Sequence, residues 1–404
     1  MRIFHCDHCN NPVFFENTLC GKCGHKLAYL PDLKVVASLD PVMVNGGPPP
    51  EPAAPPANGV NTTVLADPSP TDTTSITTAH LWSSPIERAN GRQYRLCKNY
   101  VQDGVCNWAV PAEDPHDYCS SCRLTRVIPD LSVPGNLHAW ARLENAKRRV
   151  VYQVMEFGLP LTNRNDNPAE GLAFDFLSDP ISGPRVLTGH DNGVITLNVI
   201  EADDVERERL RVSMREPYRT LVGHFRHEIG HYYWDRLLKD SDRLDAFREL
   251  FGDERLDYAQ ALQAHYTNGP DPKWRETHVS AYASVHAWED WAETWAHYFH
   301  MTDTLETAAA CGLSLNPDRA DEPQMDKPAK HRANDQTFEE IIGNWFPLTY
   351  VLNALNRGMG LADAYPFVLP PPTIDKLRFV HETICKADMT SGSAEANAPV
   401  LQPV

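Results

Sequence analysis

The sequence has neither a membrane-spanning segment nor a secretory signal. In its 404 residues, no uninterrupted apolar run approaches the roughly 18 residues that cross a bilayer. The opening residues MRIFHCDHC also lack the basic stretch followed by an apolar stretch that a secretory signal requires. We therefore expect a cytoplasmic protein without a membrane partner.

Positive charge is scarce in this chain. Its 37 lysines and arginines face 54 aspartates and glutamates, so the net charge is −17 with neutral histidine. This balance opposes binding to phosphate backbones. The first 40 residues have no excess of basic side chains, since Arg2, Lys22, Lys26 and Lys34 are balanced by Asp7, Glu16, Asp32 and Asp40. Nucleic acid is therefore not an expected partner.

The ten cysteines need an explanation other than disulfide bonds, which a reducing cytoplasm disfavours. Four of them form the pattern CDHC, ten residues, CGKC near the N-terminus. Two such pairs can surround Zn²⁺ tetrahedrally, and metal binding would stabilise so short a segment. The sequence therefore predicts a zinc ribbon whose ligands are Cys6, Cys9, Cys20 and Cys23.

Four further cysteines predict a second structural zinc. The first two are separated by the eight residues KNYVQDGV, and the last two form a compact CSSC. The predicted ligands are Cys97, Cys106, Cys119 and Cys122, although His116 could replace one of the sulfurs. Four thiolates close the coordination shell, so neither cysteine site is expected to be catalytic.

Composition divides the chain into five parts. The run GGPPPEPAAPPANG between the two cysteine groups predicts a largely disordered linker, because proline removes backbone donors and favours extended conformations. The C-terminal segment TSGSAEANAPV also has the composition of an unstructured segment. The predicted parts are a zinc ribbon at 1–38, a linker at 39–85, a second cysteine module at 86–130, a large domain at 131–386 and a disordered tail at 387–404.

The large domain is predicted to be α+β, a small sheet followed by helices. Apolar residues three and four apart predict a helix at 136–154, and similar patterns predict helices at 204–238, 240–265 and 286–309. The segments GLAFDFLSD at 171–179 and GVITLNVIEAD at 193–203 predict two strands. An exposed edge of the second strand could receive an extended peptide by strand addition.

The sharpest motif is HEIGH at 227–231, within a segment that predicts a buried helix. Residues four apart lie on one helical face, so His227 and His231 can bind one Zn²⁺. Glu228 then lies beside the metal, where a glutamate can take a proton from water that Zn²⁺ has made more acidic. The motif predicts a hydrolytic zinc site, provided that a third ligand exists, since HExxH also occurs by chance in amphipathic helices.

The third ligand is expected from a later helix. The zinc proteins with the longer motif HExxHxxGxxH are excluded, because Leu237 stands where the last histidine would be. The segment HAWEDWAETWAH at 286–297 is the only dense acidic candidate downstream. Glu289 and Glu293 lie one helical turn apart in it, and burial of both beside tryptophans would need a compensating cation. From the residues alone, Glu289, Glu293 and Asp290 all stay possible ligands.

These motifs resemble the zinc-binding metallopeptidases that join an N-terminal zinc ribbon to an HExxH domain. The resemblance covers the CxxC pairs, the CNW and CSSC elements, YRTLVGHFRHEIGHYYWDRL and SAYASVHAWEDWAETWAHYFH. It implies a zincin-like metallopeptidase domain at 131–386. The second of these helices is also similar to that of the anthrax lethal factor peptidases. That similarity implies that Glu289 is the third ligand, that Glu293 orients a ligating histidine, and that Tyr282 donates to the developing oxyanion.

Two hypotheses follow from the sequence. The first is a zinc metallopeptidase of the gluzincin type, with one catalytic and two structural Zn²⁺, a protein or peptide substrate, and ribbons that contact a partner protein. The second is a catalytically silent zinc-binding adaptor that holds metal without turnover. Tyr282 has a plainer interpretation as well, because a packed aromatic ring is the commoner role of a tyrosine.

Overall fold

The structure, a computed structural model, describes residues 1–42, 81–180, 183, 185–214, 220–319, 321–326 and 333–396. Most of the predicted linker, residues 43–80, and the last eight positions, 397–404, lie outside these ranges. The described residues mix helix and sheet, as expected for an α+β protein. None of the described helices is long and apolar enough to cross a membrane.

Short strands form three sheets in the described part of the chain. In chain order they are β1 Phe4–His5, β2 Pro12–Val13, β3 Lys26–Leu30, β4 Val35–Pro41, β5 Trp82–Ser83, β6 Gln93–Leu96, β7 Ala109–Pro111, β8 Thr125–Val127, β9 Ala173–Leu177, β10 Gly189–Asp191 and β11 Val194–Asn198. The predicted strands at 171–179 and 193–203 are confirmed as β9 and β11.

Helices dominate the second half of the molecule. They are α1 Lys98–Val101, α2 Asn136–Glu156, α3 Asp204–Met214, α4 Leu221–Leu237, α5 Leu244–Phe251, α6 Tyr258–Asn268, α7 Trp274–Thr277, α8 Ala287–Cys311, α9 Phe338–Gly358 and α10 Pro371–Ala396. The predicted disordered tail at 387–404 is wrong for its first ten residues, because α10 continues to Ala396.

The two cysteine modules share one sheet, so they are a single zinc-ribbon domain rather than separate pieces. The strand order is β3-β4-β5-β6-β7, and every neighbouring pair is antiparallel. Strands β4 and β5 meet across the predicted linker, with Asp40 opposite Ser83 and Pro41 opposite Trp82. A small apolar core that includes Leu30, Leu39 and Tyr94 holds this sheet together. The linker is therefore shorter than the predicted range 39–85 at both ends.

Helix α2 joins the ribbon domain to the rest of the protein. The ring of Tyr152 on α2 lies 5.5 Å from that of Phe15 and 6.0 Å from that of Tyr29, centroid to centroid. Arg149 forms an ion pair of 2.6 Å with Glu16. All these aromatic rings belong to one continuous hydrophobic core that extends into the large domain. Folding of the ribbons and of the large domain is therefore physically linked.

The sheet of the large domain has the order β10-β11-β9-β8. Strands β8, β9 and β11 are parallel neighbours, and β10 adds to β11 in the antiparallel direction. Because β11 is paired on both sides, the prediction that the strand at 193–203 offers a free edge is wrong. The edge on this side of the sheet is β10, where His190 lies with its ring centroid 6.3 Å from that of His231 on α4.

Helices α4 and α8 pack closely against each other. Thr220 caps the start of α4 by accepting a hydrogen bond of 3.0 Å from the backbone N–H of Gly223. A Cβ atom at Gly230 would lie 3.2 Å from the Cα of Ala292 and 3.1 Å from the ring of Trp295. The indole N–H of Trp291 donates to the carbonyl of Gly230 over 2.8 Å. The lack of a side chain at position 230 therefore lets α8 approach the helix that carries HEIGH.

Candidate metal centre

Helix α4 presents two histidines, and α8 presents a glutamate between them. The Nε2 atoms of His227 and His231 lie 3.2 Å apart. Oε2 of Glu289 lies 3.0 Å from Nε2 of His227 and 3.5 Å from Nε2 of His231. All three side chains are buried, and their ligand atoms form one of the groups in the described chain that can hold a metal ion.

The spacing of these three atoms fits a tetrahedral zinc ion. Ligands 2.0–2.1 Å from Zn²⁺ in tetrahedral geometry lie about 3.3 Å from one another. The observed separations of 3.0, 3.2 and 3.5 Å bracket this value. Two imidazoles and one carboxylate also form the donor set of several catalytic zinc sites, in which a fourth position stays open. The residues present therefore fit Zn²⁺.

The electrostatics of this group also favour a cation. Burial opposes a charge on His227, yet the carboxylates of Glu289 and Glu293 raise its pKa well above the ordinary value. Burial opposes ionisation of Glu289 in the same way, but His231 and His227 hold its pKa well below the usual range. Two carboxylates therefore stabilise positive charge at the histidines, and a bound dication can supply it in place of a proton.

Glu293 contacts the opposite side of the His227 ring. Its Oε1 lies 2.7 Å from Nδ1 of His227, and its Oε2 accepts a hydrogen bond of 2.6 Å from Ser280. An N–H at Nδ1 that donates to this carboxylate leaves the lone pair of Nε2 directed toward His231 and Glu289. The fold thus places Glu289, and not Glu293, beside both Nε2 atoms.

Asp290 is directed elsewhere. Its Oδ2 forms a buried ion pair of 2.6 Å with Lys376 on α10. Burial raises the pKa of Asp290 to about 7, although Lys376 opposes that rise. The geometry therefore does not place Asp290 as a metal ligand, since its oxygen atoms are not among the ligand atoms that lie together with the two histidines.

Glu228 and Tyr282 both lie near the metal-binding group. Glu228 is buried, and its Oε2 has no hydrogen-bond partner in the described part of the chain. Tyr282 begins the short 3-10 turn Tyr282–Ser284 before α8, with its ring centroid 6.0 Å from that of His227. Burial and the carboxylate of Glu289 raise the pKa of Tyr282, so its hydroxyl stays protonated and can donate a hydrogen bond.

Three residues of this site were missed by reasoning from the sequence. The hydroxyl of Tyr258 on α6 donates to Oε1 of Glu289 over 2.7 Å. The ring of Trp288 lies 4.1 Å from that of His231, centroid to centroid. Ser280 contacts Glu293 as described above. The sequence pointed only to Trp288, which lies beside Glu289 in the acidic segment. Tyr258 and Ser280 belong to no spacing pattern, so the sequence offered no reason to select them.

Two other polar residues of α4 have partners away from the metal-binding group. Nδ1 of His224 lies 3.3 Å from Oε2 of Glu201. Arg226 forms a buried ion pair of 2.6 Å with Asp303 on α8 and donates to Gln153 on α2 over 2.9 Å. These contacts fix α4 against both neighbouring helices, which holds His227 in place.

Both cysteine groups have the geometry of closed metal sites. No cysteine forms a disulfide, and each group of four sulfurs lies within 4.8 Å. The Sγ separations are 3.7 Å for Cys6 and Cys23, and 3.8 Å for Cys106 and Cys119. Tetrahedral sulfurs 2.3 Å from Zn²⁺ lie about 3.8 Å apart. The proposed substitution of a sulfur by His116 is wrong, because the ring of His116 pairs with Asp114 over 2.8 Å.

The fold and the site together define a class of protein. In this class, a zinc ribbon with two cysteine groups packs on a helical, zinc metallopeptidase-like domain that carries HExxH and a downstream glutamate. The chain belongs to the family described as "putative zinc-binding metallo-peptidase", whose model matches residues 136–383. A zinc-ribbon domain model matches residues 3–45 and 67–133, which include both cysteine groups. This match agrees with the single ribbon domain in the structure.

Mycobacterial proteins are similar to this chain over nearly its whole length. Proteins described as uncharacterized from Mycobacterium bovis and from two strains of Mycobacterium tuberculosis are 42% identical over 385 residues, which cover 95% of this chain and 95% of each relative. No solved structure matches the chain. The similarity to the lethal factor peptidases therefore rests on short sequence motifs alone.

Proposed function

We propose that the protein is a zinc-dependent metallopeptidase of the gluzincin type. In this proposal His227, His231 and Glu289 hold the catalytic Zn²⁺, and Glu228 acts as the general base. The observation that carries it is the buried triangle of two Nε2 atoms and one carboxylate oxygen with sides of 3.0, 3.2 and 3.5 Å. When bound, Zn²⁺ supplies a Lewis acid that makes water more acidic and polarises a carbonyl group.

The surrounding side chains have separate roles in this mechanism. Glu228 takes the proton of the attacking water at Oε2, which has no other partner in the described chain, and passes it to the leaving amine. Tyr282 donates its hydroxyl proton in a hydrogen bond to the substrate carbonyl oxygen as negative charge develops there. Glu293, itself held by Ser280, keeps the His227 ring oriented with Nδ1 protonated.

The substrate in this proposal is a protein or a peptide in extended form. Strand β10 is paired with β11 on one side, and no strand in the described part of the chain pairs with its other side. His190 of β10 lies near both His231 and Trp288, with ring centroids 6.3 and 6.2 Å away. An extended peptide that adds to β10 would pass along the metal-binding group.

The two cysteine groups are proposed to hold structural Zn²⁺ in closed shells of four thiolates. They would stabilise the ribbon domain, since the free energy of metal binding contributes directly to folding when the ligands come together only in the folded state. Contacts of the ribbons with Tyr152 and Arg149 also support α2, on which α4 packs. A partner protein that contacts the ribbon surface is compatible with this role. The proposed total is three zinc ions per chain.

The test of this function is the variant Glu228→Gln, with Glu249→Gln as the matched control. Glu249 is exposed on α5, so the same chemical change there leaves the metal-binding group intact. Both variants and the parent are assayed for zinc content and for cleavage of a peptide mixture by mass spectrometry. We expect three zincs in all of them, and cleavage about 10²–10⁴-fold slower only in Glu228→Gln.

Two results would contradict the proposal. Equal cleavage by the parent and by a zinc-loaded Glu228→Gln variant would exclude Glu228 as the base. Two zincs per chain, unchanged by His231→Ala or Glu289→Ala, would exclude the third metal and favour the zinc-binding adaptor.

A further inference from the structure

Helix α6 supplies a contact to the metal-binding group that no motif contains. Tyr258, at the first position of α6, donates its hydroxyl to Oε1 of Glu289 over 2.7 Å. The other oxygen of the same carboxylate, Oε2, faces Nε2 of His227 and Nε2 of His231. The two oxygens of Glu289 therefore have different environments, one with a hydrogen-bond donor and one with the metal-binding histidines.

This difference bears on how Glu289 binds a metal. A carboxylate can coordinate through one oxygen or through both, and its geometry sets the coordination number of the ion. A hydrogen bond from a neutral donor occupies a lone pair of Oε1 and fixes the rotation of the carboxylate plane. We propose that Tyr258 is a positioning residue that restricts Glu289 to coordination through Oε2. This inference rests on the proposed function, because it assigns a role at the same metal site.

The position of Tyr258 is itself well defined. Asp257 caps α6 by accepting a hydrogen bond of 3.0 Å from the backbone N–H of Gln260. The Tyr258 ring packs edge-on against the rings of His286 and Trp288, with centroids 5.5 and 6.0 Å away. These two residues flank the start of α8, immediately before Glu289. The ring and its hydroxyl are thus held at the same end of α8 as the ligand that they contact.

Tyr258 also lies close to the proposed oxyanion donor. The Tyr258 and Tyr282 side chains each affect the pKa of the other, and the carboxylate of Glu289 raises the pKa of both. Tyr258 is thus a neighbour of the ligand as well as of Tyr282. A misplaced Tyr258 would disturb both the metal shell and the proposed donor, although Tyr258 itself touches neither the substrate nor the ion.

The role of Tyr258 can be separated from folding stability. None of the residues of α6 is buried, so α6 lies on the surface of the domain rather than in its core. The helix ends at Gly269, whose φ angle of 82° is a conformation that glycine adopts readily. Removal of one hydroxyl from such a helix leaves the packing of α4 against α8 unchanged. Tyr258→Phe is therefore expected to fold.

The experiment compares Tyr258→Phe with Tyr233→Phe in the full chain. Tyr233 lies on α4, and its hydroxyl donates to the carbonyl of Pro160 over 2.9 Å, so each variant loses one hydrogen bond of similar length. The affinity of the third site for Zn²⁺ is measured by chelator competition, and the site is then loaded with Co²⁺ for visible absorption spectroscopy. We expect about 10–100-fold weaker Zn²⁺ binding and an altered Co²⁺ spectrum in Tyr258→Phe alone.

The outcomes distinguish this inference from the proposed function. Zn²⁺ affinity and a Co²⁺ spectrum like those of the parent in Tyr258→Phe, together with weakened binding in Glu289→Ala, would overturn the role of Tyr258 and leave the metal site standing. A parent protein that binds only two metals would overturn both. Metal affinity lowered in Tyr258→Phe, in a parent that cleaves no peptide, would support Tyr258 as a positioning residue while removing the peptidase activity.

Discussion

The buried ion pair between Asp290 and Lys376 provides a quantitative test of how the C-terminal helix stabilises the metal-binding region. Nζ of Lys376 lies 2.6 Å from Oδ2 of Asp290 and also donates to the carbonyl of Thr277 over 2.9 Å. The Asp290 and Lys376 side chains are only 1% and 6% exposed. The pair therefore attaches α10 to the fourth residue of α8, next to Glu289.

The substitution Lys376→Met keeps most of the length of the side chain but removes its charge. Removal of one partner of a buried pair typically costs about 3–5 kcal/mol, because the other charge stays buried without compensation. For a domain of this size, this corresponds to a fall of roughly 6–20 °C in Tm. The double variant Asp290→Asn with Lys376→Met removes both charges, and we expect it to recover much of the lost stability.

The loss of stability in Lys376→Met should depend on pH. Burial raises the pKa of Asp290 to about 7, with Lys376 opposing the rise, whereas an unfolded aspartate titrates near ~3.9. The folded state therefore binds the proton more tightly, and the stabilisation that protonation provides is lost as the pH rises through about 4 to 7. Without Lys376 the charged form loses its ammonium partner. We expect Lys376→Met to lose little stability relative to the parent at about pH 6, and to show the full loss at about pH 8.5.

The control is Lys386→Met on the same helix. Lys386 forms an ion pair of 2.7 Å with Asp242, but both side chains are at least half exposed, so its loss should cost at most about 1 kcal/mol. Stability is measured by urea unfolding in excess zinc at both pH values. Equal losses for Lys376→Met and Lys386→Met, or a Lys376→Met deficit that does not grow with pH, would refute the reasoning.

Further predictions concern the metal sites. Glu293→Ala removes the acceptor for Nδ1 of His227, and we expect about 10–100-fold weaker binding of the third zinc by chelator competition, with the two ribbon zincs retained. Full affinity in this variant would show that packing alone suffices to orient the ring. Cys106→Ala opens one of the buried thiolate shells, and we expect the loss of one zinc per chain and a fall in stability of the whole chain, because the ribbons share a core with α2. Unchanged thermal unfolding of the large domain would contradict this coupling.

Local spacing was sufficient to predict the ligand groups. Cysteines three positions apart in a short turn direct their sulfurs to one point, and histidines four positions apart lie on one face of any helix. These relations hold whatever surrounds them, so both cysteine groups and the pair His227 and His231 could be named from the sequence. The strands at 171–179 and 193–203 and the long helices were predictable for the same reason, since their apolar periodicity is local.

Long-range arrangement was not predictable from spacing. The two cysteine modules share a sheet because β4 pairs with β5 across residues distant in sequence, and β10 forms the sheet edge because β11 lies between it and β9. Tyr258 and Lys376 reach the start of α8 from helices that have no motif. Their contacts depend on chain topology, which a pattern along one segment does not encode.

The carboxylates of α8 show most clearly what the sequence determines and what the tertiary structure determines. The sequence by itself determined that Glu289 and Glu293 lie one turn apart on a helix following HEIGH. Only the tertiary structure places Glu289, rather than Glu293, beside both Nε2 atoms, because the crossing of α8 over α4 at Gly230 sets which turn faces them. Glu289 reaches both histidines at that crossing, and Glu293 reaches the far side of His227. Helical periodicity fixes a residue's face, whereas packing of one helix on another fixes which residue of that face reaches the two histidines.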